Sequence, residues 1–190
     1  MKKTNYDLVI LFSGGADSIM LGDLASQMNK KPLYLMIDYG QLHKQELTYA
    51  VDFLTKQNQI QHSQTIKIEN LSIDSGLTGD GVQESYEDVN SFYVPSRNLM
   101  FISIAASIAE NNGIDTIWYG ANYSDRINIF PDCYQEWVVK VNKLLELNGS
   151  KKIKLEAPLL GLTKESVLAY LDGRGYDMDK IFSGYGDLEK

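Results

Sequence analysis

Cysteine occurs once in these 190 residues, at position 133, and histidine only at 43 and 62. One thiol cannot close an intramolecular disulfide or build an all-cysteine metal site within a single chain, so a reducing, cytoplasmic setting is expected. Long hydrophobic runs are missing as well. No stretch approaches the ~18 apolar residues of a membrane helix, and the start Met1-Lys2-Lys3-Thr4-Asn5-Tyr6-Asp7 leads into only a short apolar segment, so neither a signal peptide nor a membrane anchor is expected. Positive charge is scarce: 18 Lys and Arg stand against 25 Asp and Glu, a formal net charge of −7. That balance argues against non-specific binding to nucleic acid or to an anionic membrane, and favours a small-molecule substrate.

What the chain does have is alternation. Apolar runs of strand length (6–12, 32–38, 63–68, 116–119 and 153–156) are separated by segments of helical period at about 17–29, 42–58, 96–112, 132–147 and 164–174, the last capped by Thr163. Strands alternating with helices predict an α/β fold, a three-layer, doubly wound and mainly parallel five-stranded sheet. The length and a 44% hydrophobic content suit one domain over residues 1–190. The stretch from Glu69 to Val94 is long, polar and interrupted by Gly76, Gly79 and Gly81, which reads as a lid or binding loop, or equally as a disordered insertion.

The densest chemical signal follows the first strand. Leu11-Phe12-Ser13-Gly14-Gly15-Ala16-Asp17-Ser18 places a glycine pair where a strand must give way to a helix. Such a turn binds phosphate: glycine lets the backbone approach, and the first helical turn offers N–H groups and a favourable dipole. Ser13 and Ser18 add hydroxyls, while Asp17 is suited to cap the helix or to hold magnesium. No Gly-Lys-Ser/Thr follows, so the Walker A pattern is excluded. An ordinary strand-to-helix turn is the plain alternative. Ligands of open α/β sheets gather beyond the carboxyl ends of the strands, and the other unusual segments, Asp38 to Glu46 and Gly120 to Cys133, fall at that same end.

The Ser-Gly-Gly-Ala-Asp-Ser turn resembles the PP-loop of the ATP pyrophosphatases. With DYGQLHKQE at 38–46, FYVPSRNLMF at 92–101, GANYSD at 120–125, FPDC at 130–133 and Ala157-Pro158-Leu159-Leu160 followed by Lys164-Glu165, the chain resembles the 7-cyano-7-deazaguanine synthases over residues 8–165. The resemblance implies an adenine-nucleotide-hydrolase-like fold and an ATP-dependent carbon–nitrogen ligase. Such an enzyme activates 7-carboxy-7-deazaguanine, adds ammonia, and uses ATP again to turn the amide into the nitrile. It implies an ATP site over Leu11 to Ser18 with Mg²⁺ through Asp17, and catalytic roles for Asp17, His43, Arg97 and Lys164. Substrate contacts are implied for Asp38, Tyr39, Gln41, His43, Arg97, Asn98, Asn122, Asp125 and Asp132. Cations at 97 and 164 suit a reacting phosphate or carboxylate. An ionised carboxylate such as Asp125 or Asp132 matches the adjacent N–H donors of a guanine edge. Surface ion pairs at 97 and 164, and an N-cap role for Asp132, are the structural alternatives. Cys133 is expected to be structural.

The family normally ends in a zinc-binding cysteine cluster, and this chain reads Phe182-Ser183-Gly184-Tyr185-Gly186-Asp187 there, so zinc is not expected. A homodimer contact is expected to hold that end instead. Ser96 stands where the family has glycine, and Arg126-Ile127-Asn128-Ile129 replaces a Ser-Gly-containing turn. Three other readings therefore stay open: a relative that stops at the amide or transfers the acyl group to another amine, a different PP-loop ligase or tRNA sulfur-transfer enzyme, and a non-catalytic nucleotide-binding module.

Overall fold

The run Leu8-Val9-Ile10-Leu11 is apolar at every position because both of its faces are covered. In a computed structural model, which describes residues 5–40, 45–68, 94, 96–127, 130–148, 153–178 and 181, this run is β1 (Leu8–Leu11) at the centre of a five-stranded sheet. The other strands are β2 (Pro32–Asp38), β3 (Ser63–Lys67), β4 (Thr116–Trp118) and β5 (Lys154–Glu156). Their order is β3-β2-β1-β4-β5 and every pairing is parallel, with Val9 opposite Leu33 on one side and Ile117 on the other.

Side chains alternate across the sheet into two cores. Val9, Leu33, Leu35, Ile117 and Leu155 pack with Ile102, Ala105 and Ala109 of α3 (Arg97–Asn112) and Val138, Val141 and Leu145 of α5 (Gln135–Leu147). Leu8, Ile10, Tyr34, Met36 and Trp118 pack on the opposite face. Their partners there are Ile19 and Leu21 of α1 (Ala16–Gln27), Ala50 and Leu54 of α2 (Gln45–Lys56), and Val167 and Leu171 of α6 (Lys164–Gly173). The three-layer, doubly wound expectation is met. Winding reverses between β1 and β4, so the turns after these two strands flank the switch point.

Two local expectations are corrected. The helix read over 132–147 is a 3-10 turn at Pro131–Cys133 followed by α5, separated by Tyr134 in extended conformation at φ −100°, ψ 139°. The break aims the Asp132 carbonyl at the Tyr119 hydroxyl, which donates to it at 2.6 Å. A five-residue helix, α4 (Tyr123–Ile127), was not anticipated, being too short to show a period. The Thr163 cap is as expected, its hydroxyl accepting from the Ser166 N–H at 3.2 Å.

Two polar clips fix the outer layers. Asp23 of α1 is buried and accepts from the hydroxyls of Tyr170 and Tyr176, the guanidinium of Arg174 and the amide of Gln27, which ties α6 and the segment after it to α1. On the other face Asn142 of α5 donates to the Leu155 carbonyl at 2.9 Å and accepts from the Leu155 N–H at 2.8 Å. The lid expected over 69–94 lies outside the described residues except for Val94, as do 182–190, where the missing cysteine cluster was noted.

Candidate active site

The turn after β1 is shaped from within. Gly14 sits at φ +88°, and a Cβ there would stand 2.7 Å from the Ala50 nitrogen and the Glu46 carbonyl oxygen, both backbone of α2. Only glycine combines that left-handed dihedral with so close a neighbour. The Gly14 N–H donates to the Ser18 hydroxyl, which in turn donates to the Gly15 carbonyl at 2.8 Å, and the Gly15 N–H leans on the Ser13 hydroxyl. Ser18 is thus engaged inside the loop, while Ser13 lies at its exposed lip. The first intrahelical bond of α1 runs from the Ile19 N–H to the Gly15 carbonyl. That leaves the N–H groups of Ala16, Asp17 and Ser18 without an acceptor in the helix, the arrangement that receives an anion.

Beside this turn the loop after β4 comes close. A Cβ on Gly120 would stand 3.0 Å from the Cβ of Asp17. Asn122 follows, fully buried, and its side-chain amide donates to Asp17 at 3.2 Å and to Asp125 at 2.9 Å. Its own oxygen accepts from the Asp125 N–H at 3.0 Å, so one amide sets the positions of two carboxylates. Asp17 does not cap α1, since Gly15 holds that place without a side-chain bond. Its carboxylate instead takes the Lys164 ammonium at 2.6 Å, a bond across 147 residues. The Lys164 N–H meets the Ser124 hydroxyl, which joins α6 to α4.

Acid outweighs base here. Burial pushes the Asp125 carboxyl up to about 6, helped by the charges of Asp17 and Asp132 and opposed by Lys164 and Arg97. Asp132 accepts from Asn98 of α3 at 2.5 Å. It is not an N-cap, because α5 begins at Gln135 behind Tyr134. Arg97 reaches the Tyr39 hydroxyl at 3.0 Å and lies 5.8 Å from the centre of that ring, so α3 and the end of β2 present one cation together. Cys133 is buried, and burial with the neighbouring Asp132 and Asp125 charges raises its thiol far above the ordinary range, the reverse of an activated nucleophile.

The family model for Queuosine biosynthesis protein QueC matches residues 7–190. The chain belongs to the QueC family. Relatives named 7-cyano-7-deazaguanine synthase agree. That of Prochlorococcus marinus (strain MIT 9215) is 34% identical over 204 residues, covering 100% of this chain and 89% of the relative. That of Colwellia psychrerythraea (strain 34H), named 7-cyano-7-deazaguanine synthase 1, is 31% identical over 96% of this chain and 86% of its own. Membership makes the chain an enzyme of queuosine biosynthesis. Solved structures share its fold: U34-tRNA thiolase NcsA of Methanococcus maripaludis (TM-score 0.59, 17% identity, 93% of this chain and 60% of that one) and NH3-dependent NAD synthetase of Campylobacter jejuni (TM-score 0.57, 14% identity, 94% and 68%).

Of the site residues expected from the sequence, Asp17, Arg97, Asn98, Asn122, Asp125, Asp132 and Lys164 form one bonded or electrostatically coupled cluster at the switch point, with Tyr39 beside it. Asp38 lies one residue earlier, accepting from the Gly40 N–H, whereas Gln41 and His43 lie outside the described residues. Ser96, noted for replacing a glycine, adopts φ +56°, ψ 14°, the left-handed conformation in which glycine carries no penalty. One residue was missed. Glu46 lies in the first turn of α2, and burial pushes its carboxyl up to about 7 against the pull of Arg97 and Lys164. The sequence held a signal: Glu46, Ala50 and Leu54 are spaced i, i+4, i+8, so an acid occupies a stripe otherwise buried and apolar.

Proposed function

We propose that this enzyme converts 7-carboxy-7-deazaguanine and ammonia to 7-cyano-7-deazaguanine with two rounds of ATP activation. The observation that carries the reading is the agreement of full-length family membership with a phosphate-shaped turn set against a lysine and a carboxylate cluster at the switch point. A carboxylate has no adequate leaving group. Its oxygen attacks the α-phosphorus of ATP and pyrophosphate departs, leaving an acyl adenylate. Ammonia then displaces AMP to give the amide. In the second round the amide oxygen attacks the α-phosphorus of ATP and pyrophosphate departs; the nitrogen then gives up both its protons and the C–O bond to AMP breaks, which leaves the nitrile.

The chain's own groups suit each requirement. The turn over residues 13–18 receives the β- and γ-phosphates, and Lys164 and Arg97 offset charge at the reacting phosphate and carboxylate. Asp125, ordered by Asn122, and Asp132, ordered by Asn98, accept the paired N–H donors of the guanine-like edge. Among the described residues no cluster of three or more His, Cys, Asp or Glu is arranged for a metal. Asp17, whose carboxylate stands beside the phosphate turn, would hold a magnesium ion there. When bound, the ion would neutralise charge on the polyphosphate. The single cysteine fits a cytoplasmic enzyme, and the readings of 69–94 as a lid or binding loop, of a homodimer and of a reaction that needs no zinc belong to the same proposal.

The test is mass spectrometry of products from 7-carboxy-7-deazaguanine, Mg-ATP and ammonium, with AMP and pyrophosphate quantified. Nitrile with two AMP per product is expected. Amide alone would reassign the enzyme as one that stops after the first activation. No substrate-dependent nucleotide turnover would overturn the ligase reading.

A further inference from the structure

Besides the aspartates Asp17, Asp125 and Asp132, three residues bring charge to the space beside the phosphate turn, and two of them are already engaged. The Lys164 ammonium is held by Asp17 at 2.6 Å, and Arg97 is bonded to the Tyr39 hydroxyl at 3.0 Å. The third is Glu46, on the inward stripe of α2 with Ala50 and Leu54, its own backbone packed against Gly14. Among the described residues neither cation forms an ion pair with it. An acid placed on an apolar stripe, within the fields of two cations that are bonded to other groups, is costly to the fold. No buried side-chain oxygen or nitrogen among the described residues lacks a partner. Glu46 is itself only partly buried, so its side chain is not sealed into the core.

Resting on the synthase reading, we propose that Glu46 is the proton acceptor for nitrogen addition. Ammonia attacks the acyl carbon of the adenylate and forms a C–N bond, and the carbonyl electron pair moves to oxygen. The nitrogen of this adduct carries a positive charge and must lose a proton before the adduct collapses. Glu46 takes that proton. The oxygen electrons then re-form the carbonyl, the C–O bond to AMP breaks, and protonated Glu46 releases its proton to solvent. Arg97 and Lys164, which face Glu46 from α3 and α6, and the Tyr39 hydroxyl at the end of β2 set its charge balance. A base that changes protonation near neutrality, as Glu46 does at about 7, suits an enzyme whose co-substrate is ammonia.

The experiment separates activation from nitrogen transfer in Glu46→Gln. Substrate-dependent exchange of labelled pyrophosphate into ATP reports activation, and amide plus nitrile formation reports transfer. Exchange should stay within about fivefold of the unmodified enzyme, while transfer falls by ~10²–10⁴-fold, the range of a lost general base. At a fixed concentration of unprotonated ammonia its rate should also lose the rise with pH through about 7, and Glu46→Asp should recover part of both. Transfer within threefold of the unmodified enzyme, or an unchanged pH profile, would overturn the proposal. Equal loss of exchange and transfer in Gln and Asp variants that melt like the parent would also overturn it, making Glu46 a positioning residue for ATP. Failure of the parent enzyme itself to exchange pyrophosphate would instead remove the synthase reading, and the base assignment with it.

Discussion

Helix α1 carries two aspartates that both reach α6, and they are held in opposite ways. Asp23 is surrounded by donors. Burial pushes its carboxyl up, but hydrogen bonds from Tyr170, Arg174, Tyr176 and Gln27 outweigh that and leave it below the usual range. Asp17, six residues earlier, receives one ammonium and one shared amide, and its neighbour Asp125 is driven up to about 6. One carboxylate is satisfied and belongs to the packing of two helices. The other belongs to a cluster in which three carboxylates, of Asp17, Asp125 and Asp132, face two cations, Lys164 and Arg97, among the described residues, an excess of negative charge that N–H donors of a ligand would offset. On this helix, donor count separates the carboxylate that closes the packing of α1 on α6 from the one that faces the candidate site.

Substitution at each aspartate should split along that line. Asp17→Asn should lower pyrophosphate release by about 10³-fold, on the scale of losing a preorganised charged contact, with a melting temperature close to the parent's; near-parental turnover would detach Asp17 from the ATP site. Asp23→Ala should do the reverse. It removes the buried acceptor shared by two half-buried tyrosine hydroxyls, Gln27 and the exposed Arg174, costing about 3 kcal/mol in lost hydrogen bonds to a charged group. Calorimetry should show this as a drop of roughly 6–12 °C, while turnover per folded molecule is kept.

The two regions should also respond oppositely to pH. Asp23 titrates lower folded than unfolded, so its contribution is full above the unfolded carboxylate value and disappears as pH falls through the folded one. Asp125 and Glu46 titrate higher folded than unfolded, so their contribution is full in acid and is lost as pH rises through about 6 and about 7. Melting temperature should therefore fall between pH 5 and 7.5, and Asp125→Asn should flatten that slope while Asp23→Asn leaves it alone. The smallest effect concerns Ser96. Ser96→Gly relieves a left-handed serine and should stabilise by about 0.5–1 kcal/mol, seen as a rise of a few degrees with unchanged pH slope.

Much of the frame was legible because it rests on local chemistry. β1, β2 and β4 announce themselves as apolar runs, and Asp17 after β1 proved to be a neighbour of Asn122, and through it of Asp125, after β4. Pairings such as Asp17 with Lys164 were not legible, since they depend on how α6 docks on α1, which no local pattern encodes. The break at Tyr134 was hidden because helical periodicity runs on through it, while a tertiary bond from Tyr119 to the Asp132 carbonyl sets the turn. Glu46 was overlooked because it stood inside a motif whose histidine drew the attention. Its place among Ala50 and Leu54 was the stronger sign.

The pair of hydrogen bonds between Asn142 and Leu155 has a consequence for assembly. Among the described residues strand β5 is the outermost of the sheet on its side, and its outward peptide group at Leu155 meets a side-chain amide that mimics the next strand. With donor and acceptor both taken, that rim offers no template at this point for a strand from another chain, a hazard that open sheets otherwise carry. Replacing Asn142 with leucine would keep the bulk and free the Leu155 N–H and carbonyl at that rim to pair with a strand from another chain.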